Sequence, residues 1–159
     1  MSSSITYSLY VNGSEYEITT HPHISLLDAI RSHVGLPGTK EGCDDCECGA
    51  CMVLVDGQPV NSCSYLAVQA QRRPVTTVEG LAGADGLHPL QQAILDHGGV
   101  QCGYCTPGML MSAQALLEST PSPSTDEIRI GLSGNLCRCT GYANIVAAVQ
   151  SQAAPGSHP

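Results

Sequence analysis

The chain has 159 residues, of which 42% are hydrophobic and 13% are charged, a composition typical of one ordinary globular domain or two small ones rather than of a disordered chain. Aromatic residues make up only 4%, with no Trp and no Phe, so large core anchors are scarce and the nine cysteines become candidates for tying the chain together. The formal charge of −8 argues against nucleic-acid binding, because phosphate contacts require a basic face.

The first half of the chain is predicted to consist mainly of strands. Apolar and polar residues alternate from Ile5 to Val11 and again from Glu15 to Thr20, with the hairpin signal Asn12-Gly13 between them. A helix is predicted from the N-cap Ser25 to about Gly35. Residues 52–55 form a short apolar strand, and a turn at 56–57 leads into the next strand. Strands with one helix and a cysteine loop indicate an α+β domain.

The second half of the chain is predicted to be helical, after a Gly-rich linker at residues 76–86. Thr106 is predicted to cap a helix whose first residue is Pro107. The apolar pattern predicts helices over residues 89–97, 106–118, 125–132 and 142–150, followed by a loose tail over 152–159. The sequence therefore predicts two domains, residues 1–79 and 80–159.

The location of the protein follows from what the sequence lacks. Residues 1–10 do not combine a basic stretch with an apolar run, so no signal peptide is predicted, and no apolar run is long enough to span a bilayer. We therefore expect a cytoplasmic protein. In that compartment clustered cysteines indicate metal binding or redox chemistry more often than disulfides.

The first cysteine cluster has the spacing of a plant-type [2Fe–2S] site. Cys43, Cys48 and Cys51 form C-x4-C-x2-C, and Cys63 follows downstream. Such a cluster needs two thiolates on each iron, so a tight loop that supplies three and a neighbouring segment that supplies the fourth satisfy its chemistry. Cys46 remains as a spare thiol or an alternative ligand. A zinc site is the competing interpretation, although zinc knuckles usually pair C-x2-4-C motifs across a longer spacer.

The second cysteine cluster combines a C-x2-C pair, Cys102 and Cys105, with a C-x-C pair, Cys137 and Cys139. A thioredoxin-like redox pair is disfavoured because the preceding βαβ pattern is missing. Both pairs precede predicted helices, whose N-termini carry partial positive charge and free N–H groups. These helix ends would stabilise the thiolates of a second cluster.

Four segments together carry a resemblance to a known family: G-T-K-E-G-C-D-D-C-E-C-G-A-C, D-G-Q-P-V-N-S-C, Q-C-G-Y-C-T-P-G-M and G-N-L-C-R-C-T-G-Y. From about Ile5 to Gln150 the chain resembles the iron–sulfur small subunit of the xanthine oxidase family of molybdenum hydroxylases, which includes xanthine dehydrogenases, aldehyde oxidoreductases and aerobic carbon monoxide dehydrogenases. The family usually has a small residue at the position of Cys46.

The resemblance implies a β-grasp, plant-type ferredoxin-like domain followed by an all-α four-helix bundle, each with one [2Fe–2S] cluster. It implies that the second cluster faces a molybdopterin cofactor on a large subunit, with Gln101 near the pterin and Cys139 on the pterin side. The first cluster would lead towards FAD, usually on a medium subunit, in a heterotrimer or a dimer of heterotrimers.

The function predicted from these features is electron transfer. The chain would pass single electrons between a molybdopterin centre and FAD on partner subunits, with no substrate chemistry of its own. A free-standing two-cluster ferredoxin and a zinc-stabilised interaction module are the alternatives.

Overall fold

The N-terminal part of the chain folds around a five-stranded sheet in the computed structural model, which describes residues 4–154. The strands are β1 (Ile5–Val11), β2 (Ser14–Thr20), β3 (Met52–Val55), β4 (Gln58–Asn61) and β5 (Pro74–Thr76). Their order across the sheet is β2-β1-β5-β3-β4. β1 pairs with β5 in parallel, whereas the other pairs are antiparallel. The predicted hairpin at Asn12-Gly13 joins β1 to β2, with both residues at positive φ.

One helical segment packs against this sheet. Ser25 caps it, its Oγ accepting a 3.0 Å hydrogen bond from the N–H of Asp28, and α1 (Leu26–Asp28) continues as a π-helical turn over Ala29–Val34. Gly35, at φ 82°, ends the turn in the left-handed conformation. The extent of the predicted helix is therefore confirmed, although most of it is π-helical. Its buried face joins the apolar side chains of the sheet in one core, which includes Leu9, Val11, Leu26, Ile30, Val53 and Val55.

The C-terminal part is all-helical, with its own core. A short 3-10 turn at Val78–Leu81 leads to four helices: α2 (Pro89–Asp96), α3 (Thr106–Ser119), α4 (Thr125–Gly131) and α5 (Ala143–Gln152). Their buried apolar side chains include Leu90, Ile94, Met109, Ile128 and Ile145. The predicted fold class is confirmed: a ferredoxin-like sheet domain followed by four packed helices. No helix within residues 4–154 is long and apolar enough to cross a membrane.

The predicted cap of α3 is wrong by one residue, and most of the predicted C-terminal tail lies outside the described residues. Cys105, not Thr106, is the N-cap of α3, and Thr106 is already helical. The helix therefore begins one residue earlier than predicted, and no side chain makes a capping hydrogen bond at its N-terminus. The predicted loose tail begins at Gln152, which is the last residue of α5. Residues 155–159 of that tail lie outside the described residues.

Candidate metal centres

The first set of thiols is formed by the loop before β3 and the segment after β4. The loop contributes Cys43, Cys48 and Cys51, and Cys63 follows β4. The Cys48 N–H donates a hydrogen bond of 3.4 Å to Cys43 Sγ, and the Cys48 thiol also interacts with Cys51. The Cys63 thiol interacts with the Cys51 thiol. All four predicted thiols of the first site are therefore linked as neighbours.

The backbone of this loop is shaped to bring the sulfurs close. Asp44, Cys46 and Gly49 have φ values of 60°, 67° and 69°, a left-handed conformation in which side chains are rare. A Cβ at Gly42 would lie 2.7 Å from Cys48 Sγ, so only glycine leaves room for that sulfur. The loop thus wraps closely around the space that the thiols face.

Two thiols of the first set, those of Cys48 and Cys63, have raised pKa values in the absence of a metal. Burial, reinforced by the hydrogen bond with Cys51, raises the pKa of Cys63 to about 12. Burial also raises the pKa of Cys48, and its interactions with Cys43 act in the same direction. Crowded thiols of this kind lose their protons when a cationic metal group compensates the charge. The donor set therefore fits a metal cluster.

Cys46 lies at the exposed side of the same set. Its backbone carbonyl accepts a 3.0 Å hydrogen bond from Asn61 Nδ2, and its side chain reaches the thiol of Cys63. The loop therefore brings five thiols together, and Cys46 is both the most peripheral of them and a non-glycine residue at positive φ.

The second set of thiols lies where two helices begin. Cys105 caps α3, Cys102 is in the preceding turn, and Cys137 and Cys139 are in the loop that leads to α5. The Sγ atoms of Cys102 and Cys139 are 3.6 Å apart, and the thiols of Cys105 and Cys137 interact. Two thiolates bound to one tetrahedral metal with bonds of about 2.3 Å lie about 3.8 Å apart, so the Cys102–Cys139 distance fits ligands of one metal.

The two inner thiols of the second set have opposite electrostatic environments. Burial, reinforced by the hydrogen bond to Cys137, raises the pKa of Cys105 to about 12. Burial also acts to raise the pKa of Cys137, but hydrogen bonds from the hydroxyl and N–H of Thr140 and from Cys105 outweigh it and lower that pKa to about 7. Thr140 was not among the residues predicted for the site; its one signal in the sequence is its place directly after Cys139 and before Gly141.

The two thiol sets adjoin each other across the domain interface. A cavity of about 200 Å³ is lined by all four cysteines of the second set and by Gly42 and Cys48 of the first. Around it, the Leu136 N–H donates to the Cys48 carbonyl at 2.9 Å, and Asn135 Nδ2 donates to the Gly49 carbonyl at 2.9 Å. The Tyr104 hydroxyl donates to the Glu41 carbonyl. The first cysteine loop is thus fixed directly onto the helical domain.

The remaining predicted site residue, Gln101, is exposed and immediately precedes Cys102. Within residues 4–154, no group of three or more His, Cys, Asp or Glu side chains is arranged to hold a single metal ion. The eight thiols predicted as ligands lie instead in two sets of four, which is the ligand chemistry of [2Fe–2S] clusters, and Cys46 is a fifth thiol beside the first set.

Comparisons with known proteins agree with this arrangement. Residues 9–81 match the family model described as a 2Fe-2S iron-sulfur cluster binding domain, and residues 77–150 match a [2Fe-2S] binding domain. The nicotinate dehydrogenase small FeS subunit of Eubacterium barkeri is 50% identical over 146 residues, covering 92% of this chain and 93% of the relative. The xanthine dehydrogenase iron-sulfur-binding subunit of Escherichia coli O157:H7 is 45% identical over 150 residues, covering 93% and 94%.

A solved structure shows the same fold. The crystal structure of quinoline 2-oxidoreductase from Pseudomonas putida 86 superposes with a TM-score of 0.91 at 45% identity, over 94% of this chain and 93% of that one. A ferredoxin-like domain and a helical domain, each with its own cluster-binding family model, define a protein that carries two [2Fe–2S] clusters. The chain belongs to the family of iron–sulfur small subunits of molybdenum hydroxylases. The predicted family and the predicted role, an electron-transfer component of a multi-subunit oxidoreductase, are both confirmed.

Proposed function

We propose that this chain relays single electrons between a molybdopterin centre and FAD on partner subunits, through two clusters held by its two cysteine sets. The observation that carries the proposal is the shared boundary of the sets: Cys48 of the first lines the cavity formed by the second. Each cluster, when bound, accepts and releases one electron. The chain contributes the positions of the two clusters and the environment of their ligands.

The proposed ligands follow from the neighbouring thiols. The first cluster is held by Cys43, Cys48, Cys51 and Cys63. The second cluster is held by Cys102, Cys105, Cys137 and Cys139. In the second set, Cys102 and Cys139, whose sulfurs are 3.6 Å apart, would be neighbouring ligands, as would Cys105 and Cys137, whose thiols interact. The first cluster then belongs to a domain of residues 1–79, and the second cluster belongs to a domain of residues 80–159.

The outer edge of the second set is the proposed contact with the molybdopterin subunit. Cys102, Cys139 and Gln101 are all exposed there. Leu136 and Tyr104 border the same cavity with 57% and 49% of their surface exposed, more than most apolar side chains of this chain. Exposed apolar surface beside exposed ligands is suited to burial under a partner. The relatives named small subunits support the presence of larger partners.

The first set is the proposed exit towards FAD. Its loop is exposed at Asp44, Asp45, Cys46 and Glu47. A medium FAD-binding subunit would meet this loop and complete a heterotrimer, alone or as a dimer of heterotrimers. Electrons would then cross the chain from the helical domain to the sheet domain.

Purification of the native complex through a tag on this chain tests the proposal. We expect the chain to elute with a larger subunit that contains molybdopterin and with a flavoprotein, and a hydroxylase substrate to reduce both clusters within the complex. Elution as a lone iron–sulfur protein that no such partner reduces would instead support a free-standing two-cluster ferredoxin. A colourless protein containing zinc and no acid-labile sulfide would exclude both.

Electron paramagnetic resonance of the reduced protein tests the ligands. Cys105→Ser and Cys51→Ser should each weaken or remove a different one of two distinguishable signals, because each removes a thiolate from a different set. Cys46→Ala is the matched control within the same loop and should retain both signals and the full iron content. Loss of a signal in Cys46→Ala would make Cys46 a ligand.

A further inference from the structure

Thr140 makes two contacts to one proposed ligand of the second cluster. Its Oγ1 lies 3.1 Å from Cys137 Sγ, and its N–H donates to the same sulfur at 3.5 Å. Among residues 4–154, this is the one hydroxyl side chain that hydrogen-bonds to a cysteine sulfur. The second site therefore has a hydroxyl donor that the first site lacks in the described part of the chain.

The direction of the hydroxyl hydrogen bond is fixed by its surroundings. The N–H of Tyr142 donates to Thr140 Oγ1 at 3.3 Å and so occupies an acceptor position of that oxygen. A thiolate that binds iron carries no proton and can only accept. The hydroxyl proton of Thr140 is then the one available for the contact, and it points at Cys137 Sγ.

The loop holds this donor in place through a closed set of hydrogen bonds. Gly141 and Tyr142 both have φ of 67°, which turns the chain sharply back towards the start of α5. The turn brings the Tyr142 hydroxyl to the backbone of Cys137, whose N–H donates to it at 2.8 Å. A tyrosine rarely adopts the left-handed conformation unless its surroundings impose it. The surrounding contacts therefore determine the conformation, and the Thr140 hydroxyl does not rotate freely.

We propose that Thr140 is a positioning residue that raises the reduction potential of the second cluster through its hydrogen bond to the Cys137 sulfur. One-electron reduction adds a negative charge to the cluster and its thiolates, and a donor aimed at a ligand sulfur stabilises the more negative state. Within residues 4–154 no hydroxyl donates to a cysteine sulfur of the first site, where the Cys48 N–H donates to Cys43. The inference rests on the proposed assignment of Cys137 as a ligand.

A redox titration of the full chain, monitored by the resonance signals of both clusters, tests this role. Thr140→Val keeps the shape of the side chain but removes the donor, and Thr140→Ser keeps the donor. We expect Thr140→Val to lower the potential of the second cluster by up to a tenfold change in the one-electron equilibrium, which is about 59 mV. Thr140→Ser should stay close to the native value, and the first cluster, an internal control, should not move in either variant.

Three results would overturn the inference: an unchanged second potential in Thr140→Val, an equal shift of both clusters, or the same shift in Thr140→Ser. Should Thr140→Val fail to fold, the native protein transferred to heavy water provides a second measurement. Pulsed electron paramagnetic resonance on the signal of the second cluster should detect exchangeable hydrogens at two distances from the cluster, one for the Thr140 hydroxyl and one for its N–H. Detection of the N–H hydrogen alone would overturn the inference. Failure of the proposed ligands is distinguishable, because the second signal and its iron would then be missing from the native protein.

Discussion

The backbone N–H of Leu136 donates a hydrogen bond of 2.9 Å to the backbone carbonyl of Cys48. Cys48 is a proposed ligand of the first cluster, and Leu136 is covalently joined to Cys137, a proposed ligand of the second. The shortest chain of bonded atoms between the two thiol sets described by the structure therefore crosses one hydrogen bond. The same bond also fixes the cysteine loop of the sheet domain onto the helical domain.

We predict that Leu136→Pro, which removes this N–H, slows electron transfer between the two clusters. It should also lower the free energy of unfolding by about 1 kcal/mol for the lost hydrogen bond, in addition to any cost of the proline ring. Leu136→Ala is the matched control, because it removes an exposed side chain and keeps the N–H. Rapid reduction followed by freeze-quenching and electron paramagnetic resonance measures the rate of electron transfer between the two clusters. Equal rates in both variants would show that the hydrogen bond is not the route.

The contact between the domains also depends on the absence of a side chain at Gly49. A Cβ there would lie 2.4 Å from the Gly134 carbonyl oxygen and 2.6 Å from Asn135 Nδ2, at a φ of 69°. Gly57 has a similar φ of 75° but nothing within 4 Å of its Cβ position. The two glycines thus separate the cost of the backbone conformation from the cost of the contact.

We predict that Gly57→Ala lowers the free energy of unfolding by about 1–2 kcal/mol, the cost of a left-handed alanine. Gly49→Ala should cost a further 1–3 kcal/mol, roughly the range for overpacking. Urea unfolding of the two variants, followed by circular dichroism, gives both values. If the variants are equally destabilised, the approach of Gly49 to the helical domain does not contribute to stability.

The pKa values of the second thiol set predict the order in which its inner cysteines react when the clusters are removed. Cys137 has its pKa lowered to about 7, whereas that of Cys105 is raised to about 12. At pH 8 Cys137 should therefore be alkylated well before Cys105, since the thiolate is the reacting form. Mass spectrometry of the peptides after treatment with iodoacetamide gives the rate for each cysteine. The rate at Cys137 should fall as the pH drops below 7, and Thr140→Val should move that transition upward.

The sign of the linked stability effect follows from the same pKa values, taken against the ordinary value of 9.0 for a cysteine thiol in the unfolded chain. For Cys137, folding favours the thiolate, so its contribution is present above pH 9.0 and is lost as the pH falls towards 7. For Cys105, folding favours the thiol, so its contribution is complete below pH 9.0 and is lost as the pH rises towards 12. A cluster-free chain whose stability is independent of pH over both ranges would contradict these shifts.

Local patterns predicted the elements that depend on neighbouring residues. The strand over Ile5–Val11 and the strand over Met52–Val55 were found from alternation and apolar content, and the structure has the same bounds. The segment Pro74–Thr76 was not predicted as a strand, because three residues carry no period. It becomes β5 by inserting between β1 and β3, which only the assembled sheet offers. The cap of α3 was misplaced by one residue, because Thr106 is a good capping residue and Cys105 is not.

The sequence by itself determined the number, spacing and chemistry of the thiols, and with them the kind of cluster and the family. These depend on short-range spacing, which a loop of a given length imposes wherever it lies. Tertiary structure alone decided that Cys102 meets Cys139, that Cys48 faces the second set, and that the hydroxyl of Thr140 reaches Cys137. Such contacts are set by how two separate cores pack together and by the left-handed turn at Gly141 and Tyr142, neither of which can be read from the order of residues.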